Sequence, residues 1–184
     1  EVLNSRQRAA WMEARAVELT GMRDKGVWRT VRRSDLPPGT RVFPVKELYT
    51  VSYTEENGKR VIKKLKHRIT FRGDMSQEYK HYFQTSSTMA KIESVRVLIA
   101  IAAGMGWDMS DMDCTQAFTN ARREIVVYSE LPEMAEEEMG RLRMQGRSRE
   151  YVGELRRVLY GEKDSGRLWE QTFTKFLIDK MGCV

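Results

Sequence analysis

The alternation of apolar and polar positions divides the chain into a small set of elements. From Arg8 to Lys25 it is rich in Ala, Glu, Arg and Met and reads as a helix, weakened at Gly21 and stopped at Gly26. Pro37-Pro38-Gly39 marks a turn. Two extended runs follow, Arg41–Tyr53 and Arg60–Phe71, joined by a tip at Glu55–Gly58. They read as an antiparallel hairpin. On its second arm Ile69 and Phe71 share one face, while Lys66, Arg68, Thr70 and Arg72 share the other. Residues 77–87 are polar and aromatic and read as a loop or short helix.

The second half begins with the clearest helical pattern. In Lys91–Gly104 the residues Ile92, Val95, Leu98, Ile99 and Ala102 recur at spacings of three and four, and Gly104 and Gly106 end the run. Trp107–Cys114 predicts a short, mostly buried central strand, with Trp107, Met109, Asp111 and Asp113 on one face. The two aspartates would then stand about 7 Å apart. A buried carboxylate requires a hydrogen bond, a cation or a metal, and capping of the following turn accounts for one of them equally well. Thr115–Ala121 reads as a turn or short helix packed through Ala117 and Phe118. Ile125–Tyr128 reads as a strand ended by Leu131-Pro132, and the stretch to Arg149 as a surface helix pair or insertion. Tyr151–Tyr160 fits strand and helix alike. Ser165 is expected to cap a final helix whose stripe of Leu168, Trp169, Thr172, Phe173, Phe176 and Leu177 is expected in the core. No internal repeat is present.

Charge changes this picture by its placement. The net charge is +6, from 32 Lys and Arg against 26 Asp and Glu. Between Lys59 and Arg72 there are seven basic residues and no acidic one, whereas Glu130–Glu138 holds five glutamates and no base. The basic run suits a solvated hairpin or a phosphate-contacting surface. Hydrophobic residues make up 41% of the 184, which argues against disorder throughout, and Trp28, Trp107 and Trp169 are spaced as separate packing anchors. Two cysteines, Cys114 and Cys183, and two histidines, His67 and His81, match no zinc-finger spacing. Their scarcity suggests an intracellular, reducing compartment, cytoplasmic or nuclear, with an organelle left open. The longest apolar stretch, Val97–Ala103, falls short of the roughly 20 residues that span a bilayer. A start at Glu1 rather than Met suggests a fragment or a processed product.

Several blocks occur together in an order that resembles copia-type retrotransposon reverse transcriptases. Trp11 to Trp28 resembles the family's leading helix and its Trp-containing turn. Arg41-Val42-Phe43-Pro44-Val45-Lys46 resembles its Trp-Val-Phe-Lys-Val-Lys strand, and Lys66-His67-Arg68-Ile69-Thr70-Phe71-Arg72-Gly73 its Lys-Ala-Arg-Leu-Val-Ala-Arg-Gly block. Tyr79 and Phe83 stand where the family has an aromatic pair. Gly106-Trp107 and Met112-Asp113-Cys114-Thr115-Gln116-Ala117-Phe118-Thr119-Asn120 are similar to Gly-Trp and Leu-Asp-Val-x-x-Ala-Phe-Leu-Asn-Gly. Val127-Tyr128 and Leu131-Pro132, Arg157-Val158-Leu159-Tyr160-Gly161 and Gly166-Arg167-Leu168-Trp169 complete the series. The likeness runs from about residue 9 to residue 184, and its force lies in shared order rather than in any one block.

The resemblance implies an α+β right-hand polymerase, with fingers and a partial palm formed by an antiparallel sheet packed with helices. The division it suggests is a leading helix and linker (1–40), a basic fingers-like hairpin region (41–90) and a partial palm (91–184) with an acidic insertion near 130–150. It assigns Asp113 as the first catalytic carboxylate, bridging two magnesium ions, with the carbonyl of Cys114 helping to hold one. Phe118 is the ring beneath the incoming sugar. Arg68 is the triphosphate contact, and Lys63, Lys64, Lys66 and Arg72 contact the nucleic-acid backbone. RNA or an RNA/DNA hybrid is the implied ligand.

The pattern also breaks. No Asp-Asp pair occurs in the chain, and the last acidic residue is Asp179. The reading is therefore of a chain that stops before the second carboxylate motif, holds no magnesium stably and does not polymerise by itself. Ala121 replaces a Gly, Glu162 a Leu, and Asp164-Ser165 a Gln-Ala, which fits relaxed selection on catalysis. The alternatives are a domesticated, non-catalytic subunit whose open palm is covered by protein partners, and a plain nucleic-acid-binding remnant.

Overall fold

The computed structural model describes residues 7–78, 80–132 and 148–182. Tyr79, residues 133–147 of the acidic insertion and Cys183 lie outside the described residues.

Helix α1 (Arg8–Asp24) buries Trp11, Arg15, Leu19 and Met22, a stripe at steps of four, four and three. It ends in paired bonds from Gly26 N to Arg23 O and from Val27 N to Met22 O, which satisfy its last carbonyls. Strand β1 (Trp28–Arg32) then enters a four-stranded sheet. Its neighbours, in order, are β6 (Tyr151–Leu155), β5 (Tyr128–Ser129) and β2 (Val42–Phe43). β1 and β5 run antiparallel to β6, but β2 runs parallel to β5. The sheet is therefore mixed, not antiparallel as the sequence reading had it. β2 arrives by a long path through the Pro37-Pro38-Gly39 turn rather than by a hairpin, which frees its direction.

The hairpin forms where the sequence places it. β3 (Val45–Glu56) pairs antiparallel with β4 (Lys59–Phe71). Asn57 and Gly58 both have positive φ, 51° and 72°, the handedness that matches strand twist in a two-residue loop. The register shifts beyond Ser52, which faces Lys64, while Tyr53 faces Ile62, leaving Lys63 as the extra residue of a bulge. His67, Ile69 and Phe71 point inward; Lys66 and Arg68 point to solvent.

The main core joins α1, the hairpin base and the sheet: Met22, Phe43, Ile69, Phe71 and Leu159 among them. A smaller cluster of Ala121, Val158 and Leu168 packs beneath Phe118. At the seam Phe71 N donates to Tyr160 O at 2.7 Å. Gly161 follows at φ +87°, and a Cβ there would lie 2.5 Å from Phe71 O. Only glycine lets the two backbones approach this closely.

The second half departs from expectation in several places. Helix α2 (Ile92–Met105) forms and ends at left-handed Gly106, with Gly104 inside it, but Ala102 is its sole buried residue. Trp107–Cys114 is not a strand: a period-two pattern needs a hydrogen-bonding neighbour, and no described strand lies beside it. Trp107 is 61% exposed and anchors nothing, and Asp111 and Asp113 are exposed. β5 begins at Tyr128 rather than Ile125 because its pairing with β6 covers Tyr128 and Ser129 alone. The ambiguous Tyr151–Tyr160 run resolves as strand β6 followed by a loop. Helix α3 (Ser165–Met181) has Asp164, not Ser165, at its cap position, because the Ser165 hydroxyl donates to Glu162 O at 3.0 Å. Its stripe is buried at Leu168 and half-buried at Trp169 and Phe173, while Phe176 is exposed. No helix among the described residues is long and apolar enough to cross a membrane.

Candidate nucleic-acid interface

The outward face of β4, the outer face of α1 and the turn at residues 113–117 enclose an open cleft of about 830 Å³. Strand alternation puts Lys64, Lys66 and Arg68 on one face, opposite the buried Ile69, in a register unbroken from Lys64 onward. Asp113 and Cys114 enter from the facing turn. Tyr160 forms the floor. The Arg68 guanidinium carbon lies 5.4 Å from the Tyr160 ring centroid, and Phe118 meets that ring edge-on at 5.1 Å. Burial pushes the Tyr160 phenol up from its ordinary pKa, with Glu18 adding to the effect. It remains a neutral aromatic platform beside a fixed cation.

The turn that carries Asp113 is tied to α1. Gln116 sits at φ +50°, a left-handed conformation that costs a non-glycine residue energy. Its side-chain amide donates to the Glu18 carboxylate at 2.8 Å and to the Glu18 carbonyl at 3.1 Å. Lys25 Nζ donates to Thr115 O at 2.9 Å, and the buried Thr119 hydroxyl donates to Gln116 O at 2.7 Å. Gly21 faces the Gln116 amide, where a Cβ would come 2.6 Å from Oε1. The glycine that weakens α1 is therefore the one that admits the latch.

Behind the cationic face, Glu47 collects three donors. Arg15 grips it in a fork, with Nε and Nη2 each at 2.7 Å; the Tyr49 hydroxyl donates at 3.0 Å, and His67 Nε2 stands at 3.0 Å. The Arg15 hydrogen bond is the main reason its carboxyl is held well below the usual carboxylate range. This cluster joins α1 to both hairpin strands and sets the separation of the two cleft walls.

The structure thus brings Lys64, Lys66, Arg68, Asp113 and Cys114 into one cleft, with Phe118 one ring behind it. It does not bring in Lys63 or Arg72. Lys63 is the exposed bulge residue. Arg72 leaves β4 at the hairpin base, where its Nε and Nη2 bind the Asp74 carboxylate at 2.8 and 2.7 Å. Sequence reasoning did not single out Tyr160, Glu18, Gln116 or Glu47. Tyr160 and Gln116 lie within quoted blocks and were within reach; Glu18 and Glu47 carry no local signal.

Magnesium prefers near-octahedral oxygen coordination and usually takes one or two carboxylates with the rest from water and substrate. Among the described residues no three His, Cys, Asp or Glu side chains are grouped to hold a metal. Asp113 with the Cys114 carbonyl does not by itself make a two-ion site, and no metal-dependent step follows from these residues alone.

An α+β fold with a mixed sheet, and a cleft in which the cations of β4 face Asp113 on the turn and Glu13 and Glu18 on α1, narrows the class, and comparison with known families fixes it. Residues 26–181 match the family described as reverse transcriptase (RNA-dependent DNA polymerase), and the chain belongs to that family. It is related to plant Ty1/copia retrotransposon polyproteins. It is 25% identical over 177 residues to the retrovirus-related Pol polyprotein from transposon TNT 1-94 of Nicotiana tabacum, covering 96% of this chain and 12% of the relative. The corresponding polyproteins from transposons RE2 and RE1 of Arabidopsis thaliana are 21% and 23% identical, each over 91% of this chain and 11% of the relative. The chain therefore spans about one eighth of the first relative's length. No solved structure matches it.

Proposed function

We propose that this chain carries the nucleotide- and template-facing part of an RNA-directed DNA polymerase site. The hairpin region of residues 41–90 serves as fingers and residues 91–184 as a partial palm, with residues 1–40 as the leading helix and linker. One observation carries the reading: Lys64, Lys66 and Arg68 of the hairpin face Asp113 and Cys114, far away in sequence, across one cleft. Arg68, steadied over Tyr160, holds the triphosphate in a fork. Lys64 and Lys66 follow the backbone of RNA or an RNA/DNA hybrid as point charges. Asp113 is the carboxylate this segment supplies to the catalytic centre, and Phe118, against Tyr160, limits room at the sugar 2′ position. Since the sequence holds no Asp-Asp pair, the chain by itself binds without polymerising.

Primer extension with magnesium on the purified chain tests this together with hybrid binding. The expected result is hybrid binding that weakens in Lys64→Gln/Lys66→Gln, with no templated synthesis. Templated synthesis lost on Asp113→Ala would overturn the proposed inactivity.

A second reading, a non-catalytic subunit held by protein partners, is favoured by the uncovered apolar surface of α2 and the segment after it. Leu98, Trp107 and Met112 are each more than 60% exposed. Under this reading Leu98→Lys/Ile101→Lys folds normally but no longer joins a stoichiometric complex.

A further inference from the structure

On the far side of the Thr115–Gln116 ridge lies a second groove, of about 430 Å³. Its walls hold five cations, Lys25, Arg122, Arg123, Arg156 and Arg157, against two acids, Glu124 and Glu154. Both acids are already engaged: Glu154 by Arg29 at 2.5 Å and Arg156 at 2.9 Å, and Glu124 by Arg167 at 2.7 Å. Arg123 is committed to an ion pair with the buried Glu162. Three cations are left without a salt bridge among the described residues, Glu18 acting on Lys25 only at longer range. Lys25 and Arg157 donate to main-chain carbonyls, of Thr115 and Asn120, and Arg122 is exposed. Arg122 and Arg157 also stand directly opposite one another in an antiparallel bridge. Like charges in that position repel and lower stability. An anion between them removes the penalty.

We infer that this groove is a second strand-binding surface, in which Arg122, Arg157 and Lys25 hold the phosphodiester backbone of a single strand. Lys25 joins it to the first cleft, because its ammonium caps the carbonyls of Thr115 and Gln116, two residues of that cleft's lining. A strand lying along Lys64–Arg68 continues over this ridge into the groove. Recognition is by charge and fork geometry, so it is independent of base sequence. An acidic peptide is the competing occupant, since guanidinium forks also take carboxylates, and competition by poly-glutamate distinguishes it.

The test is the salt dependence of binding of the whole chain to a single-stranded RNA oligonucleotide of about 20 nucleotides, long enough to cover both surfaces at the usual site sizes. Each phosphate contact contributes about 0.7 to the slope of log affinity against log salt for a single strand, or roughly fivefold in affinity at 0.1 M salt. Arg122→Gln is expected to lower the slope by about 0.7 and the affinity roughly fivefold, with melting temperature unchanged or raised as the repulsion is relieved. Arg122→Gln/Arg157→Gln is expected to lower the slope by about 1.4 and the affinity roughly 25-fold. Lys64→Gln/Lys66→Gln reports separately on the first cleft, so a loss confined to that variant removes the second surface and leaves the proposed function standing. Loss confined to the Arg122 variants supports the groove and counts against the hairpin. An unchanged slope in both Arg122 variants, or equal competition by poly-glutamate of matched charge, would overturn the inference.

Discussion

The side-chain amide of Gln116 donates to the Glu18 carboxylate at 2.8 Å, tying the turn that bears Asp113 to the helix that walls the cleft. Gly21 leaves the space this bond occupies. Gly21→Ala gains about 1 kcal/mol of helix propensity and loses a similar amount for each displaced hydrogen bond. Global stability by urea denaturation is therefore expected to change by no more than about 1 kcal/mol, while triphosphate affinity in chelator rises toward that of Asp113→Ala, because the released turn no longer holds its carboxylate against the phosphates. Unaltered affinity would show that the latch does not position the cleft.

Glu47 links folding to pH. Its carboxyl is held below its ordinary value of 4.5, chiefly by Arg15, so the folded state binds fewer protons than the unfolded chain in the acid range. The stability it contributes is complete above pH 4.5 and is lost as the pH falls from there toward the depressed folded value. Glu47→Gln is expected to cost about 3 kcal/mol at pH 7 and to flatten the stability curve below pH 4.5. Denaturant titrations at pH 7, 4 and 3 measure both, and parallel curves for the two proteins would contradict the assignment.

Glu162 reads differently once placed. In the sequence it looks like decay at a position where the family has Leu. In the structure it meets the buried Arg123 and accepts Leu159 N at 2.6 Å, while Arg123 also donates to Ile125 O and His81 O. Asp164 is buried beside the same cation, and that burial pushes its carboxyl above the ordinary range. Glu162→Leu removes the ion-pair partner of a buried guanidinium, leaving Asp164 as the remaining acid beside it, and is expected to cost about 3 kcal/mol. Arg123→Leu/Glu162→Leu is expected to recover most of it, as measured in a double-mutant cycle; strict additivity would show the two side chains to be uncoupled.

What the sequence made legible follows from how local each signal is. The hairpin rested on Asn57-Gly58 and on the alternation around Ile69 and Phe71, both held within a few residues, and it was found with its inward face correct. Helix α1 was found for the same reason. Trp107–Cys114 failed because a strand is defined by its neighbours, and none is described there. The uncovered face of α2 was invisible too, since amphipathic spacing announces a surface that seeks cover without saying whether this chain supplies it. Lys64, Lys66 and Arg68 were read from one strand, but their meeting with Asp113 is a matter of tertiary placement. The Glu47 cluster depends on α1 docking against β3 and β4, which no local pattern encodes.

Under the proposed function Arg68 and Asp113 face one bound triphosphate, which titration of the purified chain with a deoxynucleoside triphosphate in chelator decides. Arg68→Ala is expected to weaken binding about tenfold, close to 1.4 kcal/mol. Asp113→Ala is expected to tighten it roughly twofold or more, because a carboxylate that repels the phosphates has been removed. Wild-type affinity in both variants, or the same direction of change in both, would contradict the shared site.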